Sequence, residues 1–209
     1  MSYNISPKKQ VLKRLFDLFF SFLGLVILFP VILLAFLISS YDTKSNGFFT
    51  QIRIGQFGKK FKLLKIKTMK PNNENKTNIT TALDNRITKT GRLFRKLKID
   101  ELPQLFNVLK GDMSFVGPRP DVPGYADKLI GIERNILNIK PGITGLASLK
   151  YAEEEEILAS VPNPQEYNDK VIFPDKVRIN LNYINNYTLK LDVQIIFKTI
   201  FKKYNLKYE

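Results

Sequence analysis

An uncharged, strongly apolar run near the N-terminus limits what this chain can fold into. Residues 18–41 form a stretch of 24 residues without a charge, and about 20 apolar helical residues are enough to cross the hydrocarbon core of a membrane. Pro30 lies inside the run, where it removes one backbone donor and is expected to kink or break a helix.

The charges around this run favour a bent helix over a straight one. Basic residues lie on both sides, within 8–14 and 44–62, whereas a spanning helix concentrates them on one side. A re-entrant helix that enters and leaves through the same leaflet fits both the proline and the charges. An ordinary transmembrane anchor is the alternative, and a buried soluble helix fits this length less well.

The composition narrows both the partners and the chemistry. Lys and Arg number 33 against 19 Asp and Glu, a formal net charge of +14, which favours nucleic acid, an anionic membrane surface or a phosphorylated substrate. The chain contains no Cys and no His, which excludes thiol chemistry, thiolate metal sites and imidazole bases. Catalysis would have to use carboxylates, Lys, Arg, Tyr, hydroxyls or a hard cation such as Mg²⁺.

The remaining patterns predict an α+β fold that is mostly helical. Residues 47–68 mix apolar and basic side chains around a Gly55/Gly58 turn, which predicts a small β-hairpin. Residues 71–85 are polar and predict a mobile loop, and residues 90–97 predict a short helix.

The C-terminal part predicts a loop followed by helices. Residues 162–174 predict a loop with at most one short ordered piece. The last helix is expected over 189–204, with an apolar stripe and several lysines. It could pack on the core or lie in the membrane interface as an amphipathic helix.

The most informative stretch is residues 95–120, RKLKIDELPQLFNVLKGDMSFVGPRP. Apolar residues recur at helical spacing around Pro103 and stop at Gly111, so a helix is expected to begin near Asp100 and end at Gly111. The adjacent carboxylates of Asp100 and Glu101 are therefore expected at a helix start.

The charged residues of this stretch have both structural and chemical interpretations. Asp100 is either an N-cap that accepts backbone donors, or one carboxylate attacks phosphorus while its neighbour holds Mg²⁺. Arg95 and Arg119 either hold phosphate in a forked geometry or form ordinary ion pairs. In the predicted hairpin upstream of this stretch, Lys65 is interpreted as part of a solvated basic face. Lys67, at the end of the strand, is interpreted as a ligand contact.

Several segments together make the chain resemble the bacterial sugar transferase family, the small monotopic phosphoglycosyl transferases. The block DELPQLFNVLKGDMSFVGPRP (100–120) matches the family almost without departure and is highly specific. Weaker matches are the basic N-terminus with its proline-containing apolar run, KIKTM (65–69), PGITG (141–145) and the Leu191–Asp192 pair. The resemblance covers nearly the whole chain.

The resemblance implies an enzyme that moves a sugar 1-phosphate from a UDP-sugar to a polyprenyl phosphate, usually undecaprenyl phosphate. By family position, Asp100 is the nucleophile that forms an aspartyl phospho-sugar intermediate and releases UMP, and Glu101 is a catalytic residue that binds the Mg²⁺ cofactor. The positions that match substrate-binding residues of the family are Lys67, Arg95, Arg119 and Asp192.

The resemblance also implies a place for the protein. It predicts a re-entrant anchor over 1–43, a catalytic domain over 44–209 with amphipathic interface helices around the active site, and a location at the bacterial inner (cytoplasmic) membrane with that site on the cytoplasmic face. The reaction would be the first membrane step of surface polysaccharide or glycoconjugate synthesis. Membrane lipids are expected partners and nucleic acid is not. Downstream glycosyltransferases are possible partners.

Two departures limit what the resemblance implies. Phe29 precedes Pro30 where the family often has Ser, and residues 146–156 read LASLKYAEEEE where many members continue as WAQVNGR. Donor specificity is therefore not carried over. A basic, non-catalytic protein that binds anionic lipid is the competing hypothesis.

Overall fold

The computed structural model describes residues 5–70 and 86–201, and helices make up most of it. The helices are α1 (Pro7–Thr43), α2 (Lys89–Lys96), α3 (Gln104–Lys110), α4 (Leu146–Lys150), α5 (Glu154–Ala159), α6 (Pro164–Tyr167), α7 (Phe173–Asn185) and α8 (Leu189–Ile200). The strands are β1 (Phe48–Ile54), β2 (Lys60–Ile66), β3 (Ser114–Val116) and β4 (Gly142–Thr144). The predicted loop over 71–85 and the last residues of the predicted 189–204 helix lie outside the described residues.

Strands β1 and β2 form the predicted hairpin. They pair antiparallel, with Phe48 opposite Ile66. Ile66 packs with Ala35 of α1, and Leu63 packs with Val108 of α3. The hairpin therefore packs between α1 and α3. The C-terminal end of β2 lies beside the turn that precedes α3, because Lys65 pairs with Glu101 there.

Strands β3 and β4 bring two distant glycine-containing motifs together. The backbone N of Gly117 donates to Thr144 O at 2.9 Å, and Gly142 N donates to Pro118 O at 2.8 Å. A Cβ atom on Gly142 would lie 2.1 Å from the N atom of Gly117, so the close approach requires glycine. The PGITG segment is thus a strand that holds the GPRP loop in place.

Helix α1 has 37 residues and continues through Pro30 without interruption. Of the predicted kink or break at Pro30, the break is wrong, because proline removes a single backbone donor and a helix can continue through it. A kink there stays a prediction. At about 1.5 Å per residue, the helix is about 55 Å long, and it is long and apolar enough to cross a membrane. A re-entrant path would need a bend within this continuous helix and stays a prediction.

One face of α1 is buried along nearly its whole length. The buried side chains are polar towards both ends and apolar in the middle: Lys13, Asp17, Ser21, Leu25, Ile32, Ala35, Ser39 and Thr43. In the middle, Leu25 and Ile32 pack with Leu105 of α3. The opposite face exposes large apolar residues, among them Phe22 and Phe29, which is the reverse of the pattern on a soluble surface helix.

Polar contacts tie both ends of α1 to the same globular body. Near its start, Nζ of Lys13 lies 2.6 Å from Oδ2 of Asp192 in α8, whose Oδ1 accepts from the Tyr183 hydroxyl at 2.6 Å. Near its end, the Ser39 hydroxyl donates to Lys67 O at 2.5 Å. The helix ends at Thr43, where we placed the domain boundary. The division into 1–43 and 44–209 stays a prediction.

Residues 162–174, predicted as a loop, are mostly helical. After α6, a wide π-helical turn covers Asn168–Ile172 and leads directly into α7. Pro164 and Pro174 lie in the first turns of α6 and α7, where a missing backbone donor has no intrahelical partner to lose. These prolines therefore lie at helix starts, and the prediction that they indicate a loop is wrong.

We expect Lys13→Met to destabilise the protein by about 3–5 kcal/mol, because it leaves the buried charge of Asp192 without its partner. Thermal unfolding in detergent would measure the loss. Adding Asp192→Asn should restore much of it, and Lys8→Met, an exposed change one turn earlier, serves as the control. Equal stability of the Lys13 variant and the control would contradict the proposed role of this ion pair.

Candidate active site

The two acids lie in a short 3₁₀ turn, Ile99–Glu101, between α2 and α3. Lys98 enters this turn in the left-handed conformation, with φ 57°. The α-helix itself begins at Gln104 and ends at Gly111, whose φ is 99°. The predicted C-terminal stop is confirmed, whereas the regular helix starts one turn later than expected because Pro103 fits only at its entrance.

Asp100 is a buried carboxylate that nothing in the described protein neutralises by direct contact. Asp100 is 7% exposed. Its Oδ1 accepts no hydrogen bond from any of residues 5–70 and 86–201. The N-cap interpretation is therefore wrong. Burial and the charge of Glu101 raise the pKa of Asp100, although Lys65, Lys98 and Arg95 partly oppose that rise.

Glu101 has the opposite surroundings. Its Oε1 accepts from Lys65 Nζ and from Arg119 Nη2, each at 3.0 Å. Burial alone would raise the pKa of Glu101, but the charges of Arg119, Lys65 and Lys98 outweigh it and hold that pKa well below its usual range. Adjacent carboxylates with pKa values pushed in opposite directions are typical of sites that give the two groups different tasks.

Arg119 reaches Glu101 from the loop that follows β3. Pairing of β3 with β4 fixes this loop, and Nη1 of Arg53 donates to Pro120 O at 3.0 Å behind it. The charge of Glu101 raises the pKa of Arg119. With its side chain 44% exposed, Arg119 keeps donors free to meet a ligand.

Lys65 belongs to the site, so its interpretation as a solvated surface residue is wrong. Its side chain is 19% exposed and its ammonium pairs with Glu101. Burial lowers the pKa of Lys65, and the charge of Glu101 counters that effect. The signal was present in the sequence, because Lys65 lies two residues from Lys67 and so on the same face of an extended segment.

Lys67 and Arg95 lie on the wall of the same cleft. Nζ of Lys67 donates to the Ser45 hydroxyl at 2.9 Å. Nε of Arg95 donates to the Thr68 hydroxyl at 3.0 Å. Both cations are thus positioned by contacts near the end of β2, and both line the cleft that the acidic pair also lines.

Asp192 lies elsewhere. It is 1% exposed, lies in the first turn of α8, and its carboxylate is occupied by Lys13 and Tyr183. These contacts favour a role in holding α1 against α8. Direct substrate binding by Asp192 stays a prediction.

One cleft of about 1270 Å³ joins these groups, a volume above the usual range of ligand sites. Its lining includes the cations and the acidic pair. The acidic segment Glu153–Glu156 also lines it, and there Glu154 pairs with Lys176 at 2.6 Å and Glu155 lies 3.9 Å from Arg95. Apolar side chains complete the lining.

Asp121 is a further cleft residue that sequence reasoning missed. It directly follows the GPRP loop and lines the cleft. Burial raises the pKa of Asp121 to about 6, against the opposing charges of Lys176 and Arg53. Its position directly after Pro120 was the available signal.

The acidic pair is compatible with Mg²⁺. Mg²⁺ prefers oxygen ligands and usually takes one or two carboxylates together with water and substrate phosphates. Asp100 offers an unpartnered oxygen, and Glu101 uses only Oε1 in its ion pairs. Within the described ranges no cluster of three or more Asp or Glu residues could hold a metal by itself, so the substrate would have to complete the site.

Comparisons with known proteins identify the family of the chain. A family model described as "Bacterial sugar transferase" matches residues 8–205. The uncharacterized sugar transferase EpsL of Bacillus subtilis is 36% identical over 193 residues, which cover 92% of this chain and 87% of EpsL.

Two further relatives carry the names of specific transferases. A UDP-glucose:undecaprenyl-phosphate glucose-1-phosphate transferase of Klebsiella pneumoniae is 35% identical over 92% of this chain and 40% of its own length. A UDP-N-acetylgalactosamine-undecaprenyl-phosphate N-acetylgalactosaminephosphotransferase of Aeromonas hydrophila is 32% identical over 93% of this chain and 44% of its own length. The chain spans less than half of each of these two proteins.

The opposite pKa shifts predict opposite effects of two isosteric substitutions. Asp100→Asn should raise the melting temperature at neutral pH, because it removes a buried charge that folding disfavours. The gain should vanish as the pH falls through the raised pKa of Asp100, where the native carboxyl is neutral as well. Thermal unfolding in detergent across a pH series measures both effects.

Glu101→Gln should lower stability at neutral pH by about 2 kcal/mol, a value discounted from a fully buried pair because of the exposure of Arg119. The loss should shrink as the pH falls below about 4.3, the usual pKa of Glu, because the unfolded chain then takes up a proton that the native ion pair still excludes. Glu156→Gln, at an exposed position, is the control. The same sign for the Asp100 and Glu101 variants would contradict the electrostatic description.

Proposed function

The chain belongs to the bacterial sugar transferase family, and from that membership we propose that it transfers a sugar 1-phosphate from a UDP-sugar to undecaprenyl phosphate through a covalent intermediate on Asp100. The observation that carries the proposal is the buried, unpartnered carboxylate of Asp100 beside the ion-paired Glu101. A raised pKa makes a carboxylate a better nucleophile once it is ionised. The names of the relatives supply the classes of donor and acceptor.

In the first half-reaction, an oxygen of Asp100 attacks the phosphorus that bears the sugar. The new bond joins this oxygen to phosphorus, the bond to the bridging oxygen of the diphosphate breaks, and its electron pair leaves with UMP. Arg119 and Lys65 balance negative charge beside the attacking group, and Arg95 and Lys67, which line the same cleft, would bind the phosphates. Donors fixed in advance where charge develops lower the barrier.

In the second half-reaction, a phosphate oxygen of undecaprenyl phosphate attacks the same phosphorus. The bond to Asp100 breaks, the carboxylate is regenerated, and the sugar 1-phosphate is carried by the lipid as a diphosphate. Glu101 would hold Mg²⁺, and the bound ion would supply neutralising charge for the donor diphosphate. Glu101 suits this role because its low pKa keeps it ionised.

The surface of the protein supports a monotopic position at the membrane. The exposed face of α1 is apolar, and exposed apolar residues recur on other helices, among them Leu93, Phe106 and Phe197. Such faces suit helices that lie in the interface. Both ends of α1 are bonded to one globular body, which favours the re-entrant path over a spanning one. We place that body on the cytoplasmic face, where UDP-sugars are made. The reaction would be the first membrane step of surface polysaccharide synthesis.

Asp100→Asn should reduce turnover by at least about 1000-fold, because it removes the nucleophile. The measurement is UMP release from a panel of UDP-sugars with undecaprenyl phosphate and Mg²⁺, in protein shown to be folded. Asp112→Asn, which alters a carboxylate paired with Lys110 at the far end of α3, is the matched control. Full activity of the Asp100 variant would contradict the covalent mechanism.

The same assay distinguishes the proposed enzyme from the competing hypothesis. A non-catalytic, lipid-binding protein would release no UMP with any donor, and its membrane binding would fall with salt and be indifferent to Asp100→Asn.

The re-entrant path predicts that both ends of α1 face the cytoplasm. The chain has no native Cys, so Ser6→Cys and Lys44→Cys, both at exposed positions, can each be labelled in intact cells with membrane-permeant and impermeant reagents. We expect both positions to be protected from the impermeant reagent. Protection of one position and labelling of the other would establish a spanning helix.

A further inference from the structure

Helix α1 carries a buried acid, Asp17, to which the proposed reaction gives no task. Asp17 is 2% exposed and lies on the buried face of the helix, four residues after Lys13. Its Oδ1 accepts two hydrogen bonds from strand β3, one from the Ser114 hydroxyl at 3.0 Å and one from the backbone N of Phe115 at 3.1 Å. The helix therefore holds this short strand through a single carboxylate oxygen.

Strand β3 depends on this contact because it has a partner strand on one side only. Among the described strands it pairs with β4 alone, and Ser114 N donates to Pro141 O on that side. Successive residues of a strand direct their backbone groups to opposite sides, so the N–H of Phe115 lies on the side of α1. Without Asp17 this N–H would lack its hydrogen-bond partner, which disfavours the observed position of β3.

The position of β3 in turn determines the position of Arg119, which follows the strand by three residues. The backbone between them is bonded to β4 at Gly117, and Nη2 of Arg119 donates to Oε1 of Glu101 at 3.0 Å. A shift of β3 would therefore move the guanidinium relative to the acidic pair. A displacement of about 1 Å is enough to slow a catalysed reaction about 100-fold.

The same turn of α1 holds the helix that follows the acids. Nη1 of Arg14 donates to Val108 O at 2.7 Å, and its Nη2 donates to Leu109 O at 2.9 Å. Both carbonyls belong to the last turn of α3, and the 3₁₀ turn with the acidic pair lies just before that helix. Residues three apart are neighbours on a helix surface. Arg14 and Asp17 therefore fix α3 and β3 relative to each other from one place on α1.

We infer that Asp17 is a positioning residue for the proposed reaction, because its hydrogen bonds to β3 hold Arg119 where it can pair with Glu101. The inference rests on the proposed function and adds a task for α1 besides membrane attachment. Asp17 is not among the described residues that line the cleft. It therefore acts through β3 and the GPRP loop and not on the substrate itself.

The single-turnover burst of UMP without acceptor measures the step in which Arg119 and Glu101 would act. Asp17→Ala should lower the burst rate of folded protein at least about 30-fold. Asp17→Asn keeps an oxygen that can accept both hydrogen bonds, and it should stay within about threefold of the unaltered protein. The matched control is Ser21→Ala, four residues later on the same buried face, because the Ser21 hydroxyl donates only to Leu18 O within α1.

A double-mutant cycle separates positioning from a general loss of stability. If Asp17 acts through Arg119, then Asp17→Ala should lower the burst rate less than about twofold in protein that already carries Arg119→Ala. Losses that multiply in the double variant would show a route that bypasses Arg119 and would overturn the inference. Thermal unfolding of each variant gives the folded fraction by which the burst is normalised.

Ser114→Ala keeps the test decisive if Asp17→Ala does not fold, because it removes one of the two hydrogen bonds and leaves the other. It should lower the burst rate about threefold to tenfold, and this loss should also vanish beside Arg119→Ala. A burst equal to that of Ser21→Ala in the Asp17 or Ser114 variant, or an equal loss in Asp17→Asn and Asp17→Ala, would overturn the inference. Absence of the burst in the unaltered protein with every UDP-sugar of the panel would instead overturn the proposed function.

Discussion

The ion pairs of Glu101 with Lys65 and Arg119 hold the site together. They join three segments that are distant in sequence: the end of strand β2, the 3₁₀ turn before α3 and the loop after β3. The hairpin is placed by antiparallel pairing, and the loop by the close approach of Gly117, which follows β3, to Gly142 of β4. Glu101 connects them because two cations converge on one of its oxygens.

The same arrangement suits the nucleophilic role that we propose for Asp100. Since Glu101 pairs with Lys65 and Arg119, its neighbour remains buried with an oxygen that receives no hydrogen bond from the described protein. The negative charge of Glu101 then raises the pKa of Asp100 further. Glu101 is thus stabilised as an anion while the pKa of Asp100 is raised, a difference that follows from which of the two adjacent residues is paired.

The sequence predicted the parts of the molecule that local rules decide. The hairpin, the mostly helical class, the stop at Gly111 and the grouping of the acids with Lys67, Arg95 and Arg119 all follow from periodicity, turn chemistry or the matched motif. The wrong loop over 162–174 came from prolines that begin helices, whereas the wrong interpretation of Lys65 came from tertiary context. Lys65 looks solvated until the 3₁₀ turn before α3 brings Glu101 to its ammonium. Pro30 remains inside α1, whose buried face is packed along the globular body.

The central claim is that Asp100 becomes covalently bound to the phospho-sugar. The direct test is mass spectrometry of the intact protein and its peptides after brief exposure to UDP-sugars and Mg²⁺ without acceptor. The account predicts a near-stoichiometric sugar-phosphate adduct on the peptide that contains Asp100, which disappears when undecaprenyl phosphate is added. Rapid UMP release with an unmodified protein, or with an adduct on another residue, would contradict it.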